Sequence, residues 1–169
     1  MNTLLKSIKK SMQETLKIQP IEEKFNSGVK ELVQSTLMEF KLNVPGTAYF
    51  DPELTDLTRH YQVEKAEYWI LTNGEEVFGG IGIYPINSST CEIQKLYIKS
   101  ELRGQGWGGQ LLRHALSYAS KYYQFAYLDT KTELSDAIGM YKKFGFKELK
   151  VAPDHSTHNL MDHWFLKEL

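Results

Sequence analysis

Alternation of apolar and polar residues predicts several β-strands along this chain. The clearest pair covers residues 68–72 and 77–84, and Asn73-Gly74 directly follows the first of them. Because Asn-Gly favours the backbone angles of a tight turn, we expect these two strands to form a β-hairpin. The same pattern predicts further strands at residues 16–19, which Pro20 places at a sheet edge, and at residues 91–98, 125–130, 146–151 and 163–169.

The strand at residues 91–98 departs from strict alternation in its middle. Ile93 is apolar, and the next apolar residues are Leu96 and Ile98, so the phase shifts by one residue near Lys95. One extra residue inside a strand is what a β-bulge requires. We therefore expect this strand to bend near Lys95.

Helical spacing of apolar residues predicts three longer helices. They cover residues 21–40, 106–122 and 132–144, and Gly145 follows the last of them at the position that commonly ends a helix. A short helix is expected at residues 52–61. Since a helix separates the strands at 91–98 and 125–130, these strands should run parallel through a right-handed crossover.

A glycine-rich segment joins the strand at residues 91–98 to the following helix. Gly104, Gly106, Gly108 and Gly109 let the backbone approach a ligand, and the free N–H groups of the first helical turn attract anions. Arg103 adds a charge that suits phosphate. This pattern favours a phosphate site over glycines that merely permit a tight turn.

Gly104, Gly106 and Gly109 also satisfy the dinucleotide pattern G-x-G-x-x-G, and Asp129 follows about twenty residues later. In that fold the glycines end a buried apolar strand near the start of the domain. Here the polar residues 99–103 intervene, and too little chain follows for repeated βαβ units. A nucleotide-dependent oxidoreductase is therefore the weakest of the functional alternatives.

Composition narrows the class of protein. The chain has 169 residues, of which 41% are hydrophobic and 24% charged, so a single domain at residues 15–169 can bury a sizeable core. The net charge of −1 gives no basic footprint for nucleic acid or for an anionic membrane. Cys91 is the single cysteine, which excludes an internal disulfide and fits a reducing compartment. We expect a cytoplasmic protein.

Residues 3–14 form a basic amphipathic pattern, with Leu4, Leu5 and Ile8 beside Lys6 and Lys9. Such a helix can lie on a membrane or on a partner, but most short ones pack on their own domain. We expect residues 1–14 to hold a helix that packs on the domain.

Two motifs give a family resemblance. The segment from Arg103 to Gly108, Arg-Gly-Gln-Gly-Trp-Gly, resembles the Arg/Gln-x-x-Gly-x-Gly/Ala signature of the GCN5-related N-acetyltransferases, the GNAT superfamily. The segment from Ala137 to Phe146 resembles the second signature of that family, a helix that bears a tyrosine and ends in Gly-Phe. Their order and spacing match the family, and the resemblance covers roughly residues 66–169.

The resemblance implies an α/β (α+β) fold: a mostly antiparallel mixed sheet of about seven strands, with a bulged, splayed central strand and flanking helices. It also implies acetyl-CoA as co-substrate and direct transfer of acetyl to a primary amine of a small molecule or peptide. The pantetheine arm of acetyl-CoA would then bind unpaired backbone groups on the central strand, and the pyrophosphate of acetyl-CoA would bind the glycine loop. The implied binding residues are Leu96, Tyr97, Ile98, Arg103, Gly104, Gln105, Gly106, Gly108 and Gly109.

The resemblance assigns catalytic roles to Tyr141 and Glu92. Tyr141 matches the family tyrosine, and a phenol is protonated at neutral pH, so it can donate to the departing thiolate. Glu92 is the first candidate for the base that deprotonates the amine, Asp129 is the second, and a small amine needs no dedicated base. Leu134 stands where many relatives carry an asparagine that contacts the cofactor arm.

The acceptor site has weaker signals. Tyr49 and Phe50 lie in a predicted loop and are candidates for its wall, as are Asp129 and His158. His155 and His158 have a spacing seen in metal sites, but no cysteine accompanies them, and we expect no metal. A non-catalytic acyl-CoA-binding module is the main alternative to an enzyme. The identity of the amine stays open, and so does a homodimer.

Overall fold

The computed structural model describes residues 15–169, so the predicted helix at residues 1–14 lies outside the described residues. Within the described part, seven strands form one sheet in the order β1-β2-β3-β4-β5-β7-β6. β4 and β5 are parallel, and all other neighbours are antiparallel, which confirms the predicted mixed sheet. The strands are β1 (Lys17–Pro20), β2 (Glu67–Thr72), β3 (Val77–Pro85), β4 (Thr90–Ile98), β5 (Phe125–Thr130), β6 (Lys147–Leu149) and β7 (His163–Glu168).

Helices cover both faces of the sheet and produce two cores. The helices are α1 (Asn26–Glu39), the short α2 (Leu57–His60), α3 (Trp107–Ala119) and α4 (Ser135–Lys143). On one face, Val29, Leu32 and Val33 of α1 are at most 2% exposed, and each such burial contributes about 1.5–3 kcal/mol. The other face is covered by α3 and α4. The helical stripes read from the sequence therefore face the sheet as expected.

The predicted hairpin is confirmed, with a loop of four residues between β2 and β3. Asn73 Oδ1 accepts hydrogen bonds from the N–H groups of Glu75 and Glu76, at 3.0 and 2.8 Å. Gly74 has a positive φ of 101°, which a glycine adopts without strain. The side chain of Asn73 and the freedom of Gly74 together set this turn.

Two glycines of β3 make room for tyrosines that support the centre of the sheet. A Cβ on Gly80 would overlap the phenol of Tyr68, and one on Gly82 would overlap that of Tyr61. The Tyr68 hydroxyl donates to the backbone carbonyl of Lys95 at 3.0 Å. Both phenols therefore pack closely against β3, and one of them ties down the bulge in β4.

The bulge in β4 lies where the phase shift predicted it. Gly80 of β3 is opposite Tyr97, but Gly82 is opposite Gln94, so β4 carries one extra residue. Lys95 has a φ of 49°, which is uncommon for a residue with a Cβ. The ladder between β4 and β5 covers only residues 90–92 and 125–127. Beyond it, the edge of β4 that faces β5 has no strand partner among residues 15–169.

Helix α4 ends in a Schellman motif, which fixes the position of Tyr141. Gly145 has a φ of 87°, its N–H bonds to the Lys142 carbonyl, and the Phe146 N–H bonds to the Tyr141 carbonyl, both at 3.1 Å. The rings of Phe146 and Tyr141 pack edge to face at 5.9 Å. The Gly-Phe pair after the helix thus anchors the turn that carries Tyr141.

Candidate active site

A cleft of about 850 Å³ opens where β4 and β5 separate. Its floor is β4 beyond the bulge, including Leu96, Tyr97 and Ile98, and its sides come from α1, α3, α4 and the loop before β7. Leu134, at the start of α4, also lines it. The cleft has two chemically different walls.

The first is the glycine wall, residues 103–109. Gly104 and Gly106 have φ angles of 72° and 87°, which favour glycine because a Cβ is strained there. Gly106 caps α3 without a side chain. The first helical hydrogen bond runs from the Gln110 N–H to the Gly106 carbonyl at 3.1 Å, so the N–H groups of residues 107–109 lack helical acceptors. These groups and the helix dipole give the wall the chemistry that suits an anion.

Packing does not explain why residues 108 and 109 are glycines. A Cβ on Gly108 would lie 3.5 Å from the Met140 sulfur, and one on Gly109 would lie 3.7 Å from the Phe144 ring. Both are ordinary contact distances, and neither residue has a positive φ. The chain therefore leaves open space above the first turn of α3, as a bound ligand would require.

Arg103 lies at the rim of the glycine wall and is engaged on three sides. Its Nε donates to the Ile98 carbonyl at 3.0 Å, and its two terminal nitrogens bind Glu39 of α1 at 2.6 and 3.0 Å. The guanidinium lies over the Phe40 ring at 5.3 Å. The hydrogen bond from Arg103 lowers the pKa of Glu39. Because the pair is solvent-exposed, it is weak enough for an anion to compete with Glu39.

Tyr141 is buried under the cleft and also lines it. Burial raises the pKa of its phenol well above the ordinary value of 10.0, so the hydroxyl stays protonated at neutral pH. It packs against Phe146 and Phe165 in the core. A protonated phenol at the border of core and cleft can donate a hydrogen bond or a proton.

The second side is the charged wall, in which Glu92, Lys95, Asp129 and His158 line the cleft and Asp51 supports them through its bonds to Lys95 and His158. Glu92 accepts a hydrogen bond from the Gln94 side chain at 2.7 Å, and Gln94 in turn accepts one from the Tyr61 hydroxyl at 2.8 Å. This chain of bonds holds the carboxylate in one orientation. Burial raises the pKa of Glu92, and the charge of Asp129 adds to the effect, so Glu92 is a stronger base than an exposed glutamate.

Asp129 is the second acid of the charged wall with a raised pKa. It accepts hydrogen bonds from the Tyr127 hydroxyl at 3.2 Å and from Ser156 at 3.1 Å. Burial outweighs these bonds and raises its pKa. Glu92 lies on the neighbouring strand β4, opposite Tyr127, and both acids named from the sequence line the same cleft.

Lys95 and Asp51 are parts of the charged wall that sequence reasoning missed. The Lys95 ammonium binds Asp51 at 2.7 Å and Glu53 at 3.1 Å, and its side chain is only 3% exposed. His158 Nε2 lies 3.0 Å from the other oxygen of Asp51. The phase shift at Lys95 was a usable signal for an unusual residue, but nothing local to residues 51–53 indicated their partners.

Three residues predicted for the site do not line the cleft. The Tyr49 ring packs against Phe50 at 5.0 Å, and Phe50 is 58% exposed. Thr47 and Ala48, earlier in the same segment, line the cleft where Tyr49 and Phe50 were expected. Gln105, although part of the glycine wall, donates its side-chain amide to the Glu101 carbonyl at 2.9 Å.

Among residues 15–169, no three His, Cys, Asp or Glu side chains are grouped to hold a metal ion. His155 instead packs edge-on against the Tyr127 ring at 4.5 Å. No helix in the described range has the length and apolar character needed to cross a bilayer.

Comparisons with known proteins agree with this geometry. Residues 31–146 match the Acetyltransferase (GNAT) family. An uncharacterized N-acetyltransferase of Escherichia coli, YjgM, is 30% identical over 149 residues, which are 85% of this chain and 89% of that protein. Human N-acetyltransferase 8B is 29% identical over 134 residues, and the match spans 73% of this chain but only 59% of the human protein.

Solved structures share the fold. An acetyltransferase from Streptococcus agalactiae superposes with a TM-score of 0.78 at 20% identity, covering 92% of this chain and 99% of that one. A GNAT acetyltransferase from Elizabethkingia anophelis with acetyl-CoA bound gives a TM-score of 0.59 at 20% identity, with coverage of 92% and 99%. At these identities the likeness concerns the fold.

Proposed function

Because this chain belongs to the GNAT family of N-acetyltransferases, an acyltransferase family that uses acetyl-CoA, we propose that its cleft binds acetyl-CoA and transfers the acetyl group directly to a primary amine. One observation carries the proposal. β4 bulges at Lys95, separates from β5, and leads straight to the glycine wall at the start of α3. The main-chain site and the unpaired strand edge thus follow one another along a single cleft.

The residues present fit the proposed co-substrate. Buried or half-buried backbone groups need hydrogen-bond partners, and the free edge of β4 offers them to the amide groups of a pantetheine arm. The N–H groups of residues 107–109 suit a diphosphate. The glycines at 108 and 109 leave space that a Cβ would fill. Arg103 at the rim adds a cation that Glu39 holds only weakly.

Acetyl-CoA supplies an activated thioester, and the protein must manage the protons. An amine is a nucleophile only after it has lost a proton, and a thiolate leaves more easily when it is protonated. Glu92 is the proposed base, because its raised pKa brings it closer to neutrality while Gln94 keeps it oriented. Tyr141 is the proposed acid, because its phenol is protonated at neutral pH and lines the cleft.

The direct test is release of free thiol from acetyl-CoA in the presence of a panel of amines: alkyl diamines, α-amino acids, aminoglycosides and peptides with free N-termini or lysines. We expect at least one class to accelerate thiol release above hydrolysis, with stoichiometric formation of the acetylated amine by mass spectrometry. Calorimetry with acetyl-CoA and with NAD gives the matched comparison. We expect acetyl-CoA to bind and NAD not to bind.

Two results would contradict the proposal. Acetyl-CoA binding without turnover for any amine would favour a non-catalytic acyl-CoA-binding protein. Failure of acetyl-CoA to bind would remove the assignment of the glycine wall itself.

A further inference from the structure

Three residues of the charged wall form a connected chain that the mechanism above leaves unused. The Lys95 ammonium binds Asp51 Oδ2 at 2.7 Å. Asp51 Oδ1 and Oδ2 lie 3.0 and 3.2 Å from His158 Nε2. The exposed fractions of the three side chains rise along the chain, from 3% for Lys95 to 14% for Asp51 and 24% for His158. The chain therefore leads from the buried bulge toward solvent.

Asp51 determines which nitrogen of His158 carries the proton when the ring is neutral. An ionised carboxylate only accepts hydrogen bonds, so Nε2 must be the protonated nitrogen. Nδ1 then keeps the lone pair, and this is the nitrogen on which His158, a cleft-lining residue, can accept a further proton. The same use of a carboxylate to fix an imidazole tautomer occurs in Ser-His-Asp triads.

Lys95 keeps Asp51 in the ionised form that this role needs. Burial alone would raise the pKa of Asp51, but the hydrogen bond from His158 and the charge of Lys95 outweigh it and lower the pKa to about 2. The hydrogen bond to Asp51 raises the pKa of His158, while burial and the charge of Lys95 act in the opposite direction. The charge of Lys95 therefore keeps the pKa of His158 lower than Asp51 alone would make it.

The proton count of the proposed reaction shows why such a group is useful. A substrate ammonium has three N–H protons, and the amide nitrogen of the product has one. One of the two protons lost ends on the coenzyme A sulfur, and the other is released to solvent. Glu92 is half-buried and hydrogen-bonded to Gln94, and His158 is a second proton acceptor that lines the same cleft.

We infer that Lys95, Asp51 and His158 act as a proton relay, in which Lys95 and Asp51 are positioning residues and His158 Nδ1 carries the released proton from the cleft to solvent. This inference rests on the proposed function. The step breaks one N–H bond on the acceptor side, forms one N–H bond at Nδ1, and ends with transfer of that proton to water or buffer.

Other charges face His158 and set the background against which the relay works. Glu92 of β4 and Asp129 of β5 are acids of the same wall, and their charges interact with that of His158. Glu53 reaches the wall through its ion pair with Lys95. Glu92 and Asp129 favour the protonated ring, whereas the charge of Lys95 opposes it. Removing Lys95 and removing Asp51 should therefore shift the pKa of His158 in opposite directions.

The first experiment is an NMR titration of the His158 ring in the wild type, Asp51→Asn and Lys95→Met, which requires no substrate. We expect the pKa of His158 to fall by about one pH unit in Asp51→Asn and to rise by about one pH unit in Lys95→Met. His155→Gln assigns the neighbouring histidine signal and should leave the His158 titration unchanged. Where Lys95→Met fails to fold, Lys95→Arg with Asp51→Asn provides the comparison.

The second experiment measures turnover. We expect His158→Gln to lower kcat by about 10²-fold at low buffer concentration, with recovery as imidazole buffer is added. In Asp51→Asn and Lys95→Met, the acidic limb of kcat/KM should move in the same direction as the pKa of His158 measured by NMR. A merely structural role would give neither buffer rescue nor limbs that move in opposite directions.

The outcomes separate the relay from the proposed function. Unchanged turnover in His158→Gln, absence of rescue, or a His158 pKa that does not respond to Asp51→Asn overturns the relay while wild-type acetyl transfer stands. Absence of thiol release by the wild type overturns the proposed function instead.

Discussion

The glycine wall and the charged wall border the same cleft but are built in different ways. The glycine wall is one continuous stretch, residues 103–109, and its chemistry comes from main-chain N–H groups at a helix start. The charged wall takes Asp51, Glu92, Lys95, Asp129 and His158 from separate parts of the chain, and its chemistry comes from side chains. A main-chain site depends on local conformation, whereas a side-chain site depends on the whole fold.

The two walls also differ in what stabilises them. Positive φ angles at Gly104 and Gly106 shape the first wall, and only glycine adopts them without strain. The second wall holds buried charges, whose desolvation must be offset by ion pairs and hydrogen bonds. The β4 bulge joins them, because Lys95 sits in one wall and the strand beyond it leads to the other. Substitutions in the charged wall should therefore affect mainly turnover, and substitutions in the glycine wall should affect mainly acetyl-CoA binding.

The largest effect is expected at Tyr141, which lines the same cleft. Tyr141→Phe removes the proposed acid and should lower kcat by about 10²–10⁴-fold, while calorimetry shows nearly unchanged acetyl-CoA affinity. Tyr123→Phe is the matched control, since Tyr123 is equally buried in the same core and its hydroxyl bonds to the Lys65 carbonyl at 2.8 Å, far from the cleft. The control should lose about 1 kcal/mol of stability and keep its turnover. Equal kcat in both variants would remove Tyr141 from the mechanism.

The next effect tests the charged wall through Glu92. We expect Glu92→Gln to lower kcat/KM by about 10²-fold with little change in acetyl-CoA affinity. Because burial raises the pKa of Glu92, wild-type activity should fall as the pH drops through that raised value, and the variant should keep only the dependence that follows His158. Glu67→Gln is the control, since burial also raises the pKa of Glu67, on β2 outside the cleft.

The same variant makes an opposite prediction for stability. An acid with a raised pKa binds its proton more tightly in the folded state, so its ionisation destabilises the fold as the pH rises. Glu92→Gln removes that cost and should raise the midpoint of thermal unfolding at pH 7. The gain should vanish below the ordinary pKa of 4.5, where glutamate is protonated in both states. A variant that loses activity and stability together would indicate a structural role.

The glycine wall should respond to a Cβ rather than to a lost charge. Gly106→Ala places an alanine at a φ of 87°, which should cost about 1–2 kcal/mol of stability and weaken acetyl-CoA binding. Gly139→Ala is the contrast: this helical glycine of α4 lines the cleft, lacks a positive φ, and has nothing within 4 Å of its added Cβ. It should gain about 0.5–1 kcal/mol in denaturant titrations. Loss of stability in both variants would contradict the assigned role of φ at Gly106.

The sequence predicts the glycine wall better than the charged wall, because the first is a continuous segment and the second is assembled from distant residues. The glycine wall, the bulge at Lys95, the parallel crossover and the Gly145 cap are local patterns, and the structure agrees with them. Asp51 and His158 are 107 residues apart, and no periodicity relates them. Tyr49 and Phe50 stand out in the sequence as aromatic loop residues, yet neither lines the cleft, and the next residue, Asp51, instead binds the cleft-lining Lys95 and His158. Loop side chains take their positions from tertiary contacts that short patterns do not encode.

The smallest effect concerns Arg103, where the glycine wall meets α1. Glu39 holds two nitrogens of the guanidinium, while Nε stays anchored to the Ile98 carbonyl. Glu39→Gln should therefore leave Arg103 at the rim but free its charge for a diphosphate. An exposed ion pair contributes about 0.2–1 kcal/mol, so we expect acetyl-CoA to bind about twofold more tightly, with a stability loss below about 1 kcal/mol.

Salt and a control on the same helix sharpen this last prediction. The gain in affinity is electrostatic and should fade at high ionic strength, and Glu31→Gln, earlier on α1, should show neither change. Weaker binding in Glu39→Gln would mean that the ion pair positions residues 103–106 for the ligand rather than competing with it. In that case the glycine wall would depend on α1 for its shape, and the contrast between a local wall and an assembled one would hold only for residues 106–109.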